Sequence, residues 1–177
     1  EPLANLLSLQ QLDHSAEEEA EAYISEEKGV ASAEEALQGA MDIVAEAIAD
    51  EADYRTYIRE KTMKKGTLTS TAKDEKAESV YEMYYNFEEP VAKLAGHRIL
   101  ALNRGEKEKI LTVKLEAPEE EIIRYLEKKT IRRENPYTTP YLKEAVADSY
   151  QRLIAPAIER EIRNSLTEEA QEGAIRV

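Results

Sequence analysis

Apolar residues recur along most of this chain at helical spacing. Pro2 stands where an N1 proline would, and Leu3, Leu6, Leu7 and Leu9 form a short stripe behind it. A second helix is predicted from Ser15 through the EEEAEAYI run, with Ala16, Ala20 and Tyr23 on one side. Glu17, Glu18, Glu19 and Glu21 crowd its first turns, where the helix dipole favours negative charge, and Gly29 is expected to end it. Ser32 followed by Glu35 is a capping box that starts the next helix at Ala33. Its stripe is Ala36, Leu37, Ala40, Ile43, Val44, Ala47 and Ile48. Asp50 is the expected cap of a further helix through Tyr54, Tyr57 and Ile58, which Gly66 terminates at C′.

The pattern then changes to alternation. Residues 67–72, with three Thr, and 109–116, with Leu111, Val113 and Leu115 on one face, read as two strands. The 36 residues between them (73–108) exclude a tight hairpin but allow a ribbon with helices folded into the connection. Pro118 and Glu119 to Glu121 open a helix carrying Ile122, Ile123, Tyr125 and Leu126. Arg133 to Leu142 is the strongest loop signal, and Thr139 with Pro140 is the expected N-cap and N1 pair of the last helical segment. Leu142, Val146, Tyr150, Leu153 and Ala157 space as one buried face, and a kink or break is expected at Pro156. Ile158, Ile162 and Leu166 carry the pattern on toward Val177. The expected fold is mainly α: a multi-helical domain with a minor two-strand β element. The expected organisation is a single helical region over 1–177, divisible into acidic helices (1–66), a mixed middle (67–134) and C-terminal helices (135–177).

Composition narrows the chemistry. Six Gly and six Pro in 177 residues suit a helical domain, and 42% hydrophobic residues suffice for a core. Zero Cys excludes disulfides, thiol nucleophiles and Cys-based metal sites, and His14 and His97 cannot make a multi-histidine site. No apolar run approaches the roughly 20 residues of a membrane span. The net charge of −13 is uneven. Residues 1–54 hold 15 acidic and one basic side chain, residues 55–133 hold 14 and 18, and residues 134–177 hold eight and five. A chain so charged does not coat nucleic acid over its whole surface, yet its middle tolerates polyanions. A chain that opens at Glu1 without Met and stops at Val177 inside an apolar-periodic run is expected to be a piece of a longer protein.

Neither histidine has a Glu three residues before it, as di-iron bundles require, so the Glu runs read as solvated helix faces. His97, beside Gly96 and Arg98, is the better base of the two, but no nucleophile motif accompanies it. No phosphate loop or dinucleotide fingerprint is present. No catalytic, cofactor-binding or metal-binding residue is therefore predicted, and the chain is read as a non-enzyme. Tyr81, Tyr84, Tyr85 and Phe87 cluster, and helical spacing makes them core-edge aromatics rather than base-stacking platforms. The candidate phosphate contacts are Lys61, Lys64, Lys65, Arg98, Arg104, Lys128, Lys129, Arg132 and Arg133. The first three and the last four fall at predicted helix ends, where cations also complement the dipole. Arg98 and Arg104 are alternatively placed to pair with Glu88 or Glu89.

Several strings resemble one family, the bacterial Tex proteins, transcription accessory proteins related to eukaryotic Spt-type elongation factors. They are ALQGAMDIVAE (36–46), YIREKTMKKG (57–66), NFEEPVAKLAGHRILALNRGE (86–106) and DSYQRLIAPAIEREIRNSLTEEAQEGAIRV (148–177). Ala95-Gly96 stands before His97 where the family often has Pro-Ser. The resemblance implies a helical region preceding an RNase-H-like domain, with helix-hairpin-helix and OB-fold parts elsewhere in the parent. It carries over no catalytic residue. It implies a cytoplasmic scaffold that positions downstream nucleic-acid-binding domains, with nucleic acid held through those domains and weakly or not at all by this segment. The alternative is an acidic helical protein-docking module contacting the transcription or translation machinery.

Overall fold

The computed structural model describes residues 1–176; the end of the apolar-periodic run at Val177 lies outside them. The chain divides into two units. Unit 1 joins Glu1–Arg55 to Glu120–Pro156, and unit 2 joins Thr56–Glu119 to the segment from Ala157 onward.

Unit 1 is helical. It contains α1 (Pro2–Ser8), α2 (Ala16–Glu21), α3 (Ala33–Asp50), the start of α4 (Ala52–Lys65), most of α6 (Glu119–Thr130), and α7 (Thr139–Asp148). Its spine is α3, whose buried Ala36, Leu37, Ala40, Val44, Ala45, Ile48 and Ala49 face α1, α2 and α7. Small side chains there let neighbouring backbones approach closely. The Ser149 hydroxyl, itself fully buried, donates to the Ala45 carbonyl at 2.6 Å. Leu7, Ile122, Leu126, Leu142, Val146 and Ile154 complete the core at 2% exposure or less.

The helix starts follow local chemistry. Ser15 Oγ accepts from the Glu18 N–H and Ser32 Oγ from the Glu35 N–H, both at 3.2 Å. Glu35 returns the favour by accepting from the Ala31 N–H at 2.8 Å, one residue earlier than a standard capping box. Three expected boundaries move. α2 stops at Glu21 because the chain turns into an isolated Ser25–Val30 bridge, in which Gly29 supplies φ +75°. α3 runs through Asp50, so Glu51, whose carbonyl accepts from the Arg55 N–H, opens α4 in its place. α7 begins one residue early, with Thr138 at its cap, because Asn135 holds the preceding turn: its N–H donates to Thr139 Oγ1 at 2.9 Å, and its carbonyl accepts from the Thr138 and Thr139 N–H groups.

Pro156 does not break the helix. The chain passes through a π-helical segment, Ser149–Ile154, directly into α8 (Ala155–Arg176). A proline at 156 has no N–H for the Arg152 carbonyl and would press its ring on it; widening the turn beforehand moves that carbonyl aside.

Unit 2 packs a small sheet with α5 (Gly96–Lys107), the end of α4 and α8. The expected two strands are joined by a third. β1 (Thr67–Ala72) is central, pairing antiparallel with β2 (Asn86–Pro90) and β3 (Leu111–Glu116), in the order β2-β1-β3. β2 has no apolar alternation because it is an edge strand, with Phe87 set among acids and Pro90 at its end. β3 starts at Leu111 rather than 109 because Lys109 adopts φ +63° in the turn after α5. Leu68, Val113, Ile99, Leu102, Ile158 and Ile162 form the core. Arg163 clamps α8 to α5 through a bidentate pair with Glu106 at 2.8 and 2.9 Å and a bond to Asn103 at 3.0 Å. Gly96, at the start of α5, leaves room for α8: a Cβ there would stand 3.3 Å from Ala170.

Gly66 ends α4 without a left-handed backbone. What requires glycine is space, since a Cβ there would lie 2.3 Å from the Thr62 carbonyl oxygen that its own N–H contacts at 2.7 Å. Gly39, inside α3, has open space around it. Gly66→Ala is therefore expected to destabilise by about 1–3 kcal/mol through overpacking. Gly39→Ala is expected to stabilise by about 0.5–1 kcal/mol by relieving helix entropy. Urea denaturation of the two variants beside the parent chain measures both.

Candidate functional site

The nine candidate cations fall in both units. In unit 2, Lys61, Lys64 and Lys65 lie in the last turns of α4, at its negative dipole end. Lys61 Nζ sits 5.7 Å over the Tyr57 ring, and Lys64 and Lys65 are exposed. Arg98 is largely committed: its guanidinium lies 3.8 Å from Glu89 and 5.6 Å over the Phe87 ring. Phe87 is in turn edge-on to buried Tyr84, with centroids 5.2 Å apart. Tyr81 is also buried, and its phenol is pushed up by a hydrogen bond to Glu108 and by burial. Tyr81 and Tyr84 are therefore core, with Phe87 at its edge. Arg104 is exposed and, with Lys107, Asn103 and Thr167, lines a shallow depression of about 420 Å³.

In unit 1, Lys128 and Lys129 end α6, and Arg132 and Arg133 follow it. All four are exposed. Lys129, Arg132 and Arg133 rim a cleft of about 510 Å³, whose floor is Val44, Ala47 and Ile48 of α3 with Leu142 of α7. Glu51 and Tyr54 stand on its wall, and Leu9, 62% exposed, at its mouth. Tyr54 is edge-on to Tyr125 at 6.0 Å, and Lys129 Nζ lies 5.7 Å over the Tyr125 ring. Burial raises the Tyr54 phenol, Glu51 adds to that, and Arg132 works against it.

The rim is held by a clamp that involves no charge. Gln10, 5% exposed and at φ +56°, donates through Nε2 to the Arg133 carbonyl and accepts at Oε1 from the Arg132 N–H at 3.0 Å. Asn135 Nδ2 donates to the Gln10 and Leu12 carbonyls at 3.1 and 3.0 Å. The backbone beneath both arginines is thus tied to the loop after α1. Sequence reasoning picks out the arginines but misses Gln10, Leu9 and Tyr54. The clamp's partners are more than 120 positions apart, and the sole local signal is the Asn-Pro at 135–136.

The comparisons with known proteins bear on both units together. The family model described as Tex central region-like matches residues 11–177. The chain belongs to that family. It is 51% identical over its whole length to an uncharacterized protein, YdcI, of Bacillus subtilis (strain 168), of which the match covers 25%. It is 29% identical over its whole length to protein YhgF of Escherichia coli (strain K12), covering 24% of that protein. It is 28% identical over 84% of its length to human S1 RNA-binding domain-containing protein 1, covering 16% of that protein. This Tex central region therefore spans about a quarter or less of the length of these curated relatives.

His97 is exposed in the first turn of α5. Among the described residues, no group of three or more His, Asp or Glu side chains is arranged to hold a metal ion, and no helix is long and apolar enough to cross a membrane. His14 contacts Asp13 and Glu19, each at 2.7 Å. The hydrogen bonds to Asp13 and then Glu19 raise its pKa above the ordinary 6.5, and the same contact lowers that of Asp13. A raised folded-state pKa means that protonation favours folding. The stabilisation is complete below pH 6.5 and is lost as pH rises through the raised value. Glu19→Gln is expected to move the His14 pKa down toward the ordinary value in an NMR titration. The difference in urea midpoint between parent and variant should shrink as pH rises through that range.

Proposed function

We propose that this chain is the non-catalytic helical scaffold of a Tex-like, nucleic-acid-binding transcription accessory protein of the cytoplasm, positioning nucleic-acid-binding domains that follow it. The match to the Tex central region along nearly the whole chain carries this reading. It is supported by a relative whose name specifies an S1 RNA-binding domain, of which this region covers 16%. Helices capped by their own side chains and bidentate clamps such as Arg163–Glu106 suit a rigid spacer.

The distribution of charge supports placing the direct contacts in unit 2. Unit 1 holds 21 acidic and nine basic side chains, a net −12, whereas unit 2 holds 16 and 15, a net −1. A polyanion approaching unit 1 meets repulsion over most of its surface. Weak phosphate contact by this chain therefore falls to unit 2, through Lys61, Lys64 and Lys65 of α4 and Arg104 of α5; Arg98 is already engaged by Glu89 and Phe87.

The experiment is fluorescence anisotropy of the chain with single-stranded RNA across a salt series. Binding should be weak at low salt and fall steeply as salt rises, with the slope reduced by about one for each phosphate contact removed. Lys64→Glu together with Arg104→Glu should flatten it. Salt-independent binding, or a slope unmoved by that double variant, overturns the phosphate contacts while leaving the scaffold reading intact. Loss of RNA binding by the parent protein's other domains when this region is present but unfolded by Leu102→Asp, a carboxylate at a fully buried position, would support the scaffold role. Full retention would refute it.

A further inference from the structure

The cleft in unit 1 combines two features that scaffold duty does not require. Its floor is aliphatic yet open, with Ala47 and the mouth residue Leu9 exposed beside buried Val44 and Ile48. Its rim gathers three cations, Lys129, Arg132 and Arg133, against one carboxylate, Glu51, in a unit whose net charge is −12. Among the described residues, neither arginine has a carboxylate partner within ion-pair distance. A helix-end role accounts for Lys128 and Lys129, which sit in the last turn of α6. It does not account for Arg132 and Arg133, which lie beyond that helix and are held in place by Gln10.

We propose that this cleft binds a short acidic peptide segment of a partner protein, one bulky apolar side chain seated on Val44, Ala47 and Ile48 and its flanking carboxylates on Arg132 and Arg133. The floor decides for an apolar anchor. A volume of about 510 Å³ with aliphatic carbon gathered at Val44, Ala47, Ile48 and Leu142 and polar groups around it suits a leucine or phenylalanine side chain with adjoining backbone. The rim decides for negative charge, and its size decides for little of it. Three cations and one carboxylate match an occupant carrying a few carboxylates. A nucleic-acid strand would extend its phosphates past the rim onto the acidic remainder of the unit, where like charges oppose it. Arginine forks suit carboxylates held at fixed separation, and the Gln10 clamp fixes their backbone before any ligand arrives, which lowers the entropy lost on binding.

The test is anisotropy of the 177-residue chain with labelled synthetic peptides in which one phenylalanine is flanked by aspartate and glutamate. Companion probes replace the phenylalanine by alanine, replace the acids by lysine, or substitute oligouridine. The acidic phenylalanine peptide should bind, and Arg132→Glu with Arg133→Glu should weaken it by about tenfold or more. Those side chains are exposed, and the Gln10 contacts use their backbone, so the variant keeps the clamp. Ala47→Glu, at an exposed position of the floor, should weaken binding as much and serves if the double variant is unstable. Lys93→Glu, at an exposed position of unit 2, should change nothing. Equal binding of the alanine peptide would overturn the apolar seat. Oligouridine binding that the same variants abolish would make the occupant nucleic acid and overturn the proposal. No peptide binding up to on the order of 1 mM would also overturn it.

Discussion

Unit 1 depends on α3 presenting small and aliphatic side chains around much of its circumference. Alanine at 36, 40, 45 and 49 brings α1, α2 and α7 close enough for the Ser149 hydroxyl to reach a carbonyl inside α3, a bond possible only where no larger side chain intervenes. Leu37, Val44 and Ile48 fill what the alanines leave. The same helix turns Ala47 outward beside Val44 and Ile48, so the stripe that builds the core also floors the cleft. Core and candidate site are two sectors of one amphipathic helix whose apolar face is wider than its neighbours cover. Its acidic residues, Glu34, Glu35, Asp42, Glu46 and Asp50, occupy the remaining outer face or its rim.

Structure read easily from the sequence where cause and effect lie within one helical turn. Ser32 caps as expected, and Ser15 caps the helix expected to start there, because a hydroxyl and the N–H three residues on are placed by the backbone itself. The acidic opening of α6 and the alternation in β1 and β3 are local in the same sense. The family assignment was legible too, because strings such as GHRILALNRGE are specific. What was hidden depends on partners remote in sequence. β2 exists because β1 offers it an edge, not because NFEEP has strand character. Gly66 looked like a left-handed cap, whereas its real constraint is a carbonyl four residues back. Pro156 looked like a break, because nothing in its own neighbourhood announces a π turn before it.

The cleft shows the same division. Lys129, Arg132 and Arg133 stand out in the sequence as charges near a helix end, where the dipole accounts for Lys129 alone. Only the folded chain places them around an aliphatic floor built from residues near 44 and 142, and only there does Gln10 emerge as the group that fixes them. Folding regroups the charge in the same way. The segment 55–133 is basic as a stretch, but its last fourteen residues return to the unit that contains the acidic amino-terminal helices.

That regrouping determines what the chain can attract. At ordinary ionic strength a charge is felt over roughly 8–10 Å, so an anion in the cleft senses the rim cations first and the net −12 of the unit only faintly. Each further anionic group that projects beyond the rim loses the attraction and meets the surrounding carboxylates. Affinity therefore rises with the first few negative charges of an occupant and falls with those that follow. A repeating polyanion cannot avoid that second regime, while a short acidic segment never enters it. The acidic bulk of the unit thus acts as a filter on length and charge: the cations set attraction, and the carboxylates around them set how much charge is too much.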